Sequence, residues 1–92
     1  MAIVTLRYWA AAKEAAGIAE ETITAGTLAE ALGAARGHPG QGEHPGQDSR
    51  LRAILARSSF LIDGMPVGTR APEAVVLSDA AVIEVLPPFA GG

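Results

Sequence analysis

Residues 82–86, Val-Ile-Glu-Val-Leu, run directly into Pro87-Pro88, and no other segment limits the possible folds as strongly. The run is apolar on both alternating faces except at Glu84, which is the pattern of a central strand. Proline has no backbone N–H and holds φ near −65°, so the strand's ladder is expected to stop at about Leu86, with the exit direction preset. Only Phe89, Ala90, Gly91 and Gly92 follow. A central strand this late in the sequence needs partners from earlier in it, and the first strand, laid parallel, is the natural one.

Earlier segments supply those partners. Residues 2–9 (AIVTLRYW) combine β-branched and aromatic side chains and read as a first strand. Residues 10–16 (AAAKEAA) switch to strong helix formers and stop at Gly17, a C-terminal cap. Residues 19–25 (AEETITA) read as a second strand turning at Gly26. Thr27-Leu28-Ala29-Glu30 is a capping box, and Leu28, Ala31, Leu32 and Ala35 form the apolar stripe of a main helix ending near Arg36. Residues 51–56 read as a short helical stretch and 59–63 as a third strand, with Asp63-Gly64 turning into Met65-Pro66. Residues 74–77 suggest a short edge segment, and 78–81 a turn. Met65, Val67 and Val75 read as core or edge residues.

Between the helical stretches lies GHPGQGEHPGQD, residues 37–48, with His-Pro-Gly-Gln twice. That density of Gly and Pro predicts a flexible surface insertion without an ordered element. His38 and His44 lack further ligands at suitable spacing, and ordering such a segment around an ion costs entropy, so no metal site is expected.

Ninety-two residues make one small domain with little room for an enclosed active site. The net charge is −3 and the arginines are scattered, which disfavours nucleic-acid binding. No apolar run approaches a membrane span, and the N-terminus lacks a signal-peptide pattern, so the expectation is a soluble, cytoplasmic protein. There is no cysteine, which removes thiolate catalysis and thiolate metal ligation. The reactive group that remains attractive is the carboxylate of Gly92. Gly91 and Gly92 have no Cβ and let another protein's backbone approach closely. From Phe89 the tail reaches at most ~13 to 14 Å, enough to enter a pocket on a docked partner.

One helix-bearing mixed sheet with a parallel first and last strand is an α+β, ubiquitin-like β-grasp. At this point Leu6-Arg7-Tyr8-Trp9-Ala10-Ala11-Ala12-Lys13-Glu14-Ala15-Ala16-Gly17, the Asp63-Gly64 turn and above all Val85-Leu86-Pro87-Pro88-Phe89-Ala90-Gly91-Gly92 resemble the MoaD/ThiS sulfur-carrier family, most closely its MoaD type. The likeness covers most of the chain outside residues 37–48. Two positions depart from it: Lys13-Glu14 stands where members often carry Arg-Glu, and Leu86 where the residue before the prolines is often aromatic. A lysine offers a point charge in place of a bidentate fork.

The resemblance implies a small subunit of molybdopterin synthase that is itself non-catalytic. Gly92 would be adenylated by a MoeB-type activating enzyme that uses ATP. A sulfur donor protein would then convert it to a thiocarboxylate, and the sulfur would pass to cyclic pyranopterin monophosphate on a MoaE-type large subunit. No bound cofactor is implied. Gly91 would supply slimness, and Leu86, Pro87, Pro88, Phe89 and Ala90 would contact partners. Two alternatives stay open: a carrier of the same chemistry for thiazole, tRNA thiolation or cysteine, and a ubiquitin-like protein modifier.

Overall fold

The computed structural model describes residues 2–36 and 45–88, with side chains in the second span from Arg50 onward. Five strands form one mixed sheet: β1 (Ala2–Tyr8), β2 (Glu20–Ala25), β3 (Ser59–Ile62), β4 (Met65–Pro66) and β5 (Val82–Leu86). Their order is β2-β1-β5-β3-β4, so the last strand is indeed central. β5 runs parallel to β1, with Tyr8 beside Val85, and antiparallel to β3, with Phe60 beside Val85. The expected β-grasp is the observed fold.

The pleat sorts the residues. Val4, Leu6 and Tyr8 on β1 and Ile83 and Val85 on β5 point to one side and are essentially fully buried. Three helices cover that side: α1 (Ala10–Ala16), α2 (Leu28–Ala34) and α3 (Pro45–Arg57). Leu28, Ala31 and Ala35 bury as the stripe requires, while Leu32 is only partly covered. Buried Leu51, Ile54 and Leu55 bring α3 into the same core.

Local chemistry fixes the element ends as the sequence suggested. Gly17 caps α1 in the left-handed region at φ 77°, a conformation that costs other L-residues energy. Asp63 and Gly64 both have positive φ, as a tight turn between β3 and β4 demands. Thr27 Oγ1 accepts from the Glu30 N–H at 3.2 Å, and the Glu30 carboxylate accepts from the N–H groups of Thr27 (3.2 Å) and Gly26 (2.7 Å). Thr27→Ala removes one arm of this box, and the expected result is a loss of about 1 kcal/mol, or ~4–8 °C in a thermal melt.

Two expectations need correction. Residues 45–48 are helical, against the expectation of an insertion without an ordered element, and the helix expected at 51–56 extends from Pro45 to Arg57. Proline is accommodated at the first helical position because its missing N–H has no intrahelical partner there. Residues 37–44, with both histidines, lie outside the described residues. The segment expected at 74–77 is a single bridge, Thr27 with Val76, preceded by a 3-10 turn over Pro72–Ala74. The longest helix is therefore α3, and α2 shares the helical layer with it.

Polar ties bind the helices to the sheet. Arg52 donates to the carbonyls of Leu32 (3.2 Å) and Gly33 (3.0 Å), satisfying the C-terminal end of α2. The Tyr8 phenol donates to the Glu21 carboxylate, which also accepts from the Arg36 N–H at 3.1 Å. Burial first, and then the hydrogen bond to Glu21, push the Tyr8 pKa well above its usual value, so the phenol remains a donor.

Candidate functional site

The parity that buries one side of the sheet leaves the other side open. Across its middle run register partners in a row: Glu20 on β2, Arg7 on β1, Glu84 on β5, Leu61 on β3 and Pro66 on β4. The row is charged at one end and apolar at the other. Arg7 Nε lies 3.3 Å from Glu20 Oε2, an exposed ion pair that contributes little to stability but orders both side chains. Glu84 Oε1 accepts from the Trp9 indole N–H at 3.2 Å. Val82 and Leu86 stand on this same face of β5, each half-buried, so the strand contributes an apolar strip interrupted by one carboxylate.

Trp9 sits where β1 gives way to α1, and the chain passes through Ala10 at φ 50°. That left-handed value costs a non-glycine residue roughly 1–2 kcal/mol. It turns α1 toward the buried side, while the indole stays on the open side against Glu84. Because β1 and β5 are parallel, the end of β1 and the end of β5 lie at the same edge of the molecule. Trp9, 46% exposed, therefore stands beside the root of the tail.

Of the expected partner-contact residues, Leu86 belongs to β5, with Ser59 as its register partner, while Pro87 is half-buried and Pro88 exposed just past the strand end. The ladder ends where the prolines predict. Phe89, Ala90, Gly91 and Gly92 lie outside the described residues. Trp9, Glu84, Leu61 and Pro66, which the sequence does not single out as site residues, share the open face with Leu86. The lone acid in an otherwise apolar β5 was the available signal for Glu84, because a charge in a central strand must face the uncovered side. Trp9 follows from the same alternation, two positions beyond Arg7.

A groove of about 380 Å³ lies between β3 and residues 66–72, lined by Phe60, Val67 and Arg70 among others. Arg70 uses its Nε and Nη2 on the carbonyls of Val67 (3.0 Å) and Pro66 (3.3 Å), so the guanidinium is committed to holding the loop. No cluster of three or more metal-ligating side chains occurs among the described residues, and no helix among them is long and apolar enough to cross a membrane. Among the described residues, the open face of the sheet and the proline-stopped end of β5 lie side by side.

No protein-family model and no curated protein matches the sequence. Solved structures do match. Small archaeal modifier protein 1 from Methanosarcina acetivorans superposes with a TM-score of 0.68 at 20% identity, covering 100% of this chain and 98% of its own. Its counterpart from Haloferax volcanii gives 0.69 at 20%, covering 98% and 99%. A chain of the complex between subunits 1 and 2 of molybdopterin-converting factor from Helicobacter pylori gives 0.62 at 22%, covering 98% and 99%.

The chain thus has the ubiquitin-like β-grasp fold over essentially its whole length. Within that fold its structural neighbours include both a small protein modifier and a molybdopterin-converting factor complex, in accord with the resemblance carried by its terminal residues.

Proposed function

We propose that this protein is a sulfur carrier of the MoaD type, the small subunit of a molybdopterin synthase, with the Gly92 carboxylate as its working group. The observation that supports the reading is the placement of β5: the central strand of the sheet ends at Leu86 and runs into Pro87-Pro88 beside the open face, and in the sequence Phe89-Ala90-Gly91-Gly92 follow. A carboxylate is a poor electrophile. The Gly92 oxygen attacks the α-phosphorus of ATP on a MoeB-type partner, pyrophosphate leaves, and an acyl adenylate results. Sulfide supplied by a sulfur donor then attacks the acyl carbon, AMP departs with the bonding electron pair, and loss of the sulfur's proton leaves a thiocarboxylate. That sulfur passes to cyclic pyranopterin monophosphate on a MoaE-type large subunit. The protein supplies the carried atom and the docking surface, and the partners supply the catalytic groups.

The test is reconstitution. Incubation with ATP, sulfide and an activating enzyme should raise the mass by one oxygen-for-sulfur exchange, and the product should support molybdopterin formation with a large subunit. Loading without activity on that subunit would shift the assignment to another acceptor, such as thiazole, tRNA or cysteine synthesis. The likeness to small archaeal modifier protein 1 favours one second reading, a protein modifier joined to lysines through Gly92. It predicts covalent adducts on target proteins in cells.

In either case partners must grip the open face, and Trp9 is its largest exposed aromatic side chain. Trp9→Ala is expected to weaken binding to the activating enzyme by ~30-fold, the effect of a central aromatic contact worth about 2 kcal/mol. Titration calorimetry measures it, and an unchanged affinity would remove Trp9 from the docking surface.

A further inference from the structure

We infer that the free edge of β2 pairs with the same edge of a second copy of this chain, joining two sheets into one across a two-fold axis. The sheet has two edges, and they differ. β4 is two residues long, contains Pro66, and is continued by Val67, whose N–H already donates to the Phe60 carbonyl at 3.0 Å. That edge is blunted in the way natural sheets avoid pairing. β2 is six residues long, with no proline, lysine or bulge.

The orientation of its backbone follows from the ladder. The Tyr8 N–H donates to the Ala19 carbonyl at 2.7 Å, so residues 19, 21, 23 and 25 turn their polar groups toward β1. Glu20, Thr22 and Thr24 then turn theirs outward, and all three are exposed. No backbone group among the described residues pairs with them.

Among the registers that keep like charges apart, one forms the most hydrogen bonds. Parallel strands would set Glu20 beside Glu20 and Glu21 beside Glu21, with like charges adjacent. An antiparallel pair in which Glu20 faces Thr22 sets Glu21 against its own copy. The antiparallel pair centred on Thr22 has neither clash. It faces Thr22 with Thr22 and each Glu20 with Thr24, and each of these three pairs exchanges two backbone hydrogen bonds, about six in all. Because the other edge is blunted, the contact is isologous and closes as a dimer without growing into a filament. β2 lies two strands from β5, so the end of β5 and the apolar part of the open face stay available in both copies.

An edge contact of this size is weak, with a dissociation constant on the order of 0.1 to 1 mM. Sedimentation velocity on the full chain across that range should show a monomer–dimer equilibrium. Amide resonances of residues 20, 22 and 24 should shift with concentration while those of 21 and 23 stay nearly still. Two variants fix the register with opposite signs. Thr22→Glu brings two carboxylates together at the axis and should abolish the dimer. Thr24→Lys places a cation opposite each Glu20 and should tighten it by about 2- to 30-fold across the two symmetric pairs. Both positions are exposed, so the melting temperature of the monomer reports any loss of fold separately. A monomer at the highest concentration would overturn the proposal and leave the edge to a strand from another protein. A dimer indifferent to both variants, or one whose shifts fall on Leu61 and Leu86, would overturn it equally.

Discussion

Removal of Gly92 is expected to abolish sulfur loading while leaving the melting temperature unchanged. The truncated chain still ends in a glycine carboxylate at Gly91, so the chemistry of the end group is conserved and only its position changes. One residue shortens the reach by ~3.3–3.6 Å. A displacement of about 1 Å from near-attack geometry already costs on the order of 100-fold in rate, so a shift three times larger leaves the carboxylate outside bonding distance of the α-phosphorus. Stability is unaffected because β5, the last element of the sheet, ends at Leu86, six positions before Gly92. Mass spectrometry of the loading reaction, with calorimetry on the same samples, reads both halves of the expectation. Persistent thiocarboxylate formation on the shortened chain would sink the sulfur-carrier reading.

How far the sequence disclosed this structure depends on where local and tertiary signals agree. β5 was legible because its nearly unbroken apolar run and its proline stop are written in consecutive residues, although only its Ile83 and Val85 side is fully covered, and α2 because the Thr27–Glu30 box and its stripe coincide. The first turn of α3 was not. Pro45 and Gly46 read as loop residues in isolation, and the helix persists because buried Leu51, Ile54 and Leu55 anchor its later turns in the core. Residues 74–77 misled for the reverse reason. Ala-Val-Val-Leu has strand character, yet Val75 and Leu77 bury while Val76 is left 79% exposed with a single bridge to Thr27. The open face was only half legible, since alternation tells which residues share a side but not which strands stand next to each other. The row from Glu20 through Arg7 and Glu84 to Leu61 exists only once the strand order is set.

The alanine content takes on a definite meaning in the folded chain. Nineteen alanines could have been filler for a thin core or a sign of exposed apolar surface. Ala12, Ala15 and Ala16 of α1, Ala31 of α2 and Ala2 and Ala25 of the strands are all buried, so many of them are interfaces where elements approach closely. Such a core contains few large side chains. Those fully buried are Tyr8, Leu6, Leu28, Leu51, Ile83, Val4 and Val85, and five of the seven lie on β1 or β5 on either side of the parallel seam. Stability is thus concentrated on the two strands that carry Trp9 and the tail.

Ile83→Ala is accordingly expected to be the most damaging small change in the molecule. Ile83 is completely buried in the central strand, between Leu6 on β1 and Ile62 on β3. Truncating a side chain so enclosed removes its transfer free energy and leaves a cavity, together about 2–5 kcal/mol. In a domain of this length each kcal/mol shifts the midpoint by ~4–8 °C, so a fall of roughly 10–30 °C follows. Against a total stability of about 5–15 kcal/mol, the variant approaches the point of unfolding. The neighbouring Val82→Ala is the internal control, because Val82 is on the open face and only half covered, and its loss should stay within about 1 kcal/mol. Thermal melts of the two variants test the central placement of β5 directly. Equal, small effects would mean that the strand delivering the tail is not enclosed on the helix side, and the rigid root from which the tail departs would lose its physical basis.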